Sequence, residues 1–130
     1  LEFMIYANLK DYDNLVRIVY DVFKDGSVKR YDRDYQTWKI REAYCNLLII
    51  LDKISEETVQ NFPLKPLKIN KFIKDTSLYN KDKRGLNIAI QIVPLLFFLI
   101  HRQYEKIQMR IDALKQYSFH YLRKDNYSDK

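Results

Sequence analysis

A chain of 130 residues that is 47% apolar, 15% aromatic and 31% charged is long enough to bury roughly two thirds of its unfolded surface. It is too apolar to stay disordered. Two glycines and three prolines exclude a hairpin-rich β fold, and fourteen isoleucines against four alanines predict a core of bulky side chains. The net charge of +6 is unevenly spread: residues 1–64 balance at −2, residues 65–84 at +5 and residues 101–130 at +3.

Phe3 to Leu9 predicts a short helix that turns at Lys10–Asp11. From Tyr12 to Phe23, Leu15, Ile18, Val19, Val22 and Phe23 recur at three- and four-residue steps, the stripe of an amphipathic helix. Asp11 is the expected N-cap, Asp13 and Arg17 an expected i,i+4 pair, and Gly26 the expected left-handed cap.

Asp32 or Asp34 opens the next predicted helix, with Tyr35, Trp38, Ala43, Tyr44, Leu47, Leu48 and Leu51 turned inward. Its unbroken apolar end, 47–51, predicts burial on more than one side. Trp38 is read as a core anchor of this hairpin, with an exposed partner contact as the other reading. Ser55 starts a short helix that Pro63 stops. The stretch 63–85 reads as an irregular basic connection holding one turn of helix near Asn70–Lys74.

Residues 85–100 carry no charge. As a helix they reach only about 24 Å, short of a hydrocarbon core of about 30 Å, so Leu86 to Ile100 reads as a buried core helix and no membrane association is expected. Pro94 predicts a kink near Ile90 or a restart. Gln103 to Leu122 is the last predicted helix, with Tyr104, Ile107, Ile111, Leu114, Tyr117 or Ser118, and Tyr121 on one face.

Two stretches match position for position: Tyr12, Asp13, Leu15, Val19 and Val22 against Tyr104, Glu105, Ile107, Ile111 and Leu114. Each follows an apolar helix and a short polar turn. The pattern resembles the second half of a tetratricopeptide-like repeat over about two fifths of the chain. Tyr6 and Phe98 fall at that family's first-helix aromatic, and Tyr12 and Tyr104 at its turn aromatic. Leu95, Leu15, Ile107, Val22 and Leu114 stand where the family places small residues, and the 92-residue separation is no multiple of its 34-residue period. The resemblance implies stacked helical hairpins and a protein-binding role. The expected fold is therefore all-α, six or seven helices in stacked antiparallel hairpins of α-solenoid type, forming a single helical domain over 1–130. The start at Leu1-Glu2-Phe3 ahead of Met4 fits either three residues appended before a native Met4 or a piece of a longer helical-repeat protein.

Catalytic chemistry finds little support. His101 and His120 are nineteen apart with Cys45 distant, which matches no metal-ligand spacing, and two glycines build neither a phosphate loop nor a nucleophile elbow. No enzyme activity, cofactor or metal is expected. The single cysteine excludes an internal disulfide and fits a cytoplasmic setting.

The basic excess carries the functional reading. Lys65, Lys68, Lys71 and Lys74 step by three, and Arg102, Lys106 and Arg110 step by four, a stripe expected opposite the apolar face of the last helix. Lys71, Lys74, Arg102, Lys106 and Arg110 are the candidate partner-binding residues. The leading expectation is a protein-interaction module that offers a groove or basic face to a peptide or acidic protein. The alternative is a nucleic-acid-binding accessory domain using the same last helix and residues 65–84, since clustered lysine and arginine neutralise phosphates and tyrosines stack bases. Self-association through exposed helix faces is the third expected contact.

Overall fold

The structure, a computed structural model, describes residues 2–26, 34–76 and 86–117. Among the described residues every regular element is an α-helix: α1 (Glu2–Asn8), α2 (Tyr12–Lys24), α3 (Tyr35–Ile50), α4 (Glu56–Asn61), α5 (Ile69–Asp75), α6 (Leu86–Ile100) and α7 (Tyr104–Tyr117). The all-α class expected from the composition is observed. The chain divides into two compact units, Leu1–Thr76 and Ser77–Lys130, with the boundary inside the basic connection.

In the first unit α2 is the central helix, and α1, α3 and α4 all pack on it. Leu15, Val16 and Val19 of α2 meet Cys45 and Leu48 of α3 and Ile54 of the α3–α4 turn, with Tyr6, Phe23, Trp38 and Phe62 around this cluster. Trp38 is thus a half-buried core anchor, and the Arg41 guanidinium sits 4.6 Å over its ring. The Tyr20 and Phe62 rings meet edge to face at 5.6 Å.

Local chemistry sets the helix ends. Ser55 is an N-cap with extended backbone whose Oγ accepts the Thr58 N–H at 3.2 Å. Its own N–H donates to Asp13 Oδ1 at 3.0 Å, which pins the start of α4 to α2. That contact replaces the expected Asp13–Arg17 pair; Arg17 turns instead to Asp21 at 3.7 Å and to Asn14 Oδ1 at 3.0 Å. Asp11 makes no side-chain cap bond either, because its carboxylate is taken by Asn14 Nδ2. Gly26 has φ +66, the left-handed end predicted for α2.

Three helix ends share one turn. In the first, Leu9, Lys10 and Asp11 donate to the carbonyls of Ile5, Ala7 and Tyr6. In the second, Leu51, Asp52 and Lys53 donate to Leu47, Ile49 and Leu48, and in the third His101, Arg102 and Gln103 donate to Phe97, Leu99 and Phe98. The middle residue is left-handed each time, with φ 57 at Lys10, 59 at Asp52 and 56 at Arg102. These are Schellman-type ends that satisfy otherwise orphaned carbonyls. Two fall at the turns matched in the sequence, and the third, at Asp52, is a finding of the structure.

A non-glycine residue pays roughly 1–2 kcal/mol for left-handed backbone. Lys10→Gly should therefore stabilise the first unit by about 0.5 kcal/mol, whereas Lys10→Val should cost about 1–2 kcal/mol. Urea unfolding midpoints read both changes.

Several expected orientations differ. Tyr44 is exposed rather than inward, outside the cluster that buries Cys45 and Leu48. Leu51 is exposed too, as is Ile50, because α3 ends at Ile50 and the next residues leave in the turn. The predicted helix near Asn70–Lys74 is longer, Ile69–Asp75, and buries Ile69 and Phe72. Asp32 lies outside the described residues, and Asp34 takes the N-cap position of α3.

In the second unit α6 and α7 pack as a hairpin. Helix α6 runs unbroken through Pro94, so no restart occurs there. Its buried side carries Asn87 and Gln91 beside Ile90, Val93 and Phe98. Ile107, Ile111 and Leu114 of α7 are half-buried as expected, but Tyr104 is exposed. Ser118 and Tyr121 lie outside the described residues. Among the described residues no helix is long and apolar enough to cross a membrane.

Candidate binding groove

In the first unit α3 on one side and residues 65–76, which include α5, on the other line a groove of ≈ 620 Å³. Pro63 and Pro66 disfavour helix in the stretch before α5. Asn46, buried in α3, holds it down: its Nδ2 donates to the Lys65 carbonyl at 3.0 Å and to the Glu42 carbonyl at 3.1 Å. Ile69 and Phe72 anchor the start and middle of α5.

The walls are predominantly basic. Lys39, Lys65, Lys68 and Lys71 line the groove against Glu42 and Asp75. Lys39 Nζ lies 2.8 Å from Glu42 Oε1, so this carboxylate is already ion-paired. Lys65, Lys68 and Lys71 are exposed and carry no ion pair among the described residues. Tyr35 and Phe72 add aromatic surface, and Gln36 Oε1 on the α3 wall is buried without a hydrogen-bond partner. Free ammonium groups beside apolar rings suit an anionic chain.

The candidate residues read from sequence separate. Lys71 lies on the groove wall, and Lys74 is exposed in the last turn of α5, off the lining. Arg102, Lys106 and Arg110 belong to the other compact unit. They form no stripe opposite the apolar face. Arg102 sits in the α6–α7 turn rather than on α7, and Lys106 Nζ lies 5.5 Å over the Phe98 ring of α6. Arg110 is half-buried, with its Nη2 donating to Gln91 Oε1 at 2.7 Å and its Nε without a partner. Burial holds its guanidinium below the usual arginine range. The spacing of four missed this because those residues face the α6 seam, where long cationic stems cover apolar surface.

Sequence reasoning saw the three-residue step that contains Lys65 and Lys68 but had no signal for Lys39, Gln36 or Asn46. These come from a helix far away in the chain.

Other polar groups are structural. His101 is exposed, stacks on the Phe97 ring at 4.2 Å and places its Nδ1 2.8 Å from the Phe97 carbonyl. Among the described residues no group of three or more His, Cys, Asp or Glu side chains is placed to hold a metal. No family model, curated protein or solved structure matches this chain.

Proposed function

We propose that the chain is a non-enzymatic interaction module, working in the cytoplasm, that seats an acidic segment of a partner protein in the groove between α3 and residues 63–76. The supporting observation is a set of three unpaired lysines on a groove also lined by two aromatic rings. A cleft of that size admits a few residues of extended peptide rather than a folded surface. The three matching helix turns support a helical-hairpin repeat as the scaffold, in the manner of the tetratricopeptide-like resemblance.

The test is an anisotropy titration of a labelled ten-residue Glu/Asp peptide bearing one phenylalanine, beside duplex DNA and single-stranded RNA of equal charge. Peptide binding is expected to exceed nucleic-acid binding and to weaken from about 50 to about 200 mM salt. The double change Lys68→Glu and Lys71→Glu should weaken it at least about tenfold, since each reversal turns attraction into repulsion. Equal or tighter binding of nucleic acid, weakened by the same double change, would replace this reading with the nucleic-acid one.

A further inference from the structure

We infer that the groove of α3 and residues 65–76 reads a charge order: it selects a partner segment whose acidic block is flanked at one end by a lysine or arginine, seated at Asp75. This rests on the groove being the binding site and adds which segments fit it. The side of α5 that lines the groove carries Lys68, Lys71, Phe72, Asp75 and Thr76, at steps of three and four, whereas Asn70, Ile73 and Lys74 lie off the lining. Lys65 lines the groove ahead of them. Along the chain this wall therefore reads positive, positive, positive, negative.

The backbone that carries these charges is anchored. Asn46 Nδ2 bonds the Lys65 carbonyl at 3.0 Å, and Ile69 and Phe72 are buried. The opposite wall leaves the order undisturbed, because Lys39 and Glu42 on α3 are paired with each other. Asp75 is open to a ligand. It is exposed, ends α5 where the helix dipole disfavours a carboxylate, and belongs to no ion pair among the described residues. Lys71 stands one turn before it, but a cation on the N-terminal side of a carboxylate is the weaker i,i+4 arrangement.

A carboxylate at this place repels a uniformly acidic segment and attracts one with a cation there, so Asp75 trades affinity for selectivity. Lys68 and Asp75 are about 10 Å apart along the α5 axis. An extended chain covers that in about three residues. The fitting segment thus sets acidic residues against Lys65, Lys68 and Lys71, with its basic residue about three positions from the one at Lys68.

The test is an anisotropy titration of the full chain with four end-capped peptides of equal length. One is uniformly acidic apart from a single phenylalanine. The other three share one composition, with a lysine replacing an acidic residue at the amino end, in the middle or at the carboxyl end. At about 50 mM salt one end-placed lysine should bind about threefold tighter than the middle one, the effect of an exposed ion pair. Whichever end wins gives the direction of the bound chain. Asp75→Asn should shrink that ratio and Asp75→Lys should shrink it further, while both tighten the uniformly acidic peptide. Circular dichroism checks that each variant keeps its helix, and Asp75→Asn suffices if Asp75→Lys does not. Equal binding of the three isomers, or a ratio that Asp75→Asn leaves unchanged, overturns the charge order, while binding of the uniformly acidic peptide still upholds the groove. Binding of none of the four overturns both.

Discussion

Leu15→Ala should lower the unfolding free energy of the first compact unit by about 2–5 kcal/mol, the usual range for a buried leucine truncated to alanine. Leu15 is 0% exposed and belongs to the buried cluster that joins Val16 and Val19 of α2 to Cys45, Leu48 and Ile54. Truncation loses the transfer free energy of the removed carbons and also leaves a cavity, because α2 is held from several sides and has little freedom to collapse into it. At 0.05–0.15 kcal/mol per residue, a 76-residue unit has only about 4–11 kcal/mol in total. The substitution thus removes a large share of it. Urea denaturation followed by circular dichroism reads the loss. Leu9→Ala, at a site 70% exposed, is the control and should stay within about 0.5 kcal/mol. A loss below about 1 kcal/mol for Leu15→Ala would mean that α2 is not the centre of this core.

Alkaline pH should destabilise the same unit through Cys45. Burial pushes its thiol up to about 12, with the negative charge of Glu42 adding to the effect. A thiol whose folded pKa is raised contributes stability fully below its unfolded value, near 8.5–9, and loses it as the pH climbs toward about 12. Between those limits the unfolded chain releases the proton and the folded chain keeps it, so stability falls by at most about 1.4 kcal/mol per pH unit. Cys45→Ala removes this proton and should flatten the slope between pH 9 and 11, at the cost of a small cavity at all pH values. Parallel slopes in the two proteins would show that the thiol does not titrate across unfolding. The same burial makes Cys45 unreactive toward thiol reagents at neutral pH, since the thiolate is the attacking species.

Both predictions depend on which side of a helix is buried, and legibility in the sequence divides on that point. Helix α2 was readable because its stripe alternates with charge: Leu15, Ile18 and Val19 are buried as the spacing requires, and only Val16 was overlooked. Ser55 and Gly26 were readable because capping is chemistry local to a few residues. Helices without polar contrast were not. The apolar end of α3 could not show that Ile50 and Leu51 face outward, since that depends on where the chain turns at Asp52.

The candidate groove was half legible. The lysine step from 65 to 71 marked one wall, but the other wall is α3, and the tether between them is an asparagine amide bonded to a carbonyl nineteen residues away. The basic stripe on α7 failed for the converse reason. Equal spacing in sequence places Lys106 and Arg110 on one face of the helix, and only contact with Phe98 and Gln91 reveals that this face meets α6.

By itself, then, the sequence determined the helical class, most helix starts and stops, two of the three matching turns and where positive charge accumulates. These follow from periodicity and from interactions within one turn of chain. Tertiary structure alone decided which lysines stay free and which arginine is buried against a glutamine. Each of those outcomes is a competition among surfaces far apart in sequence, and a side chain's fate is set by whichever neighbour reaches it first in the folded packing.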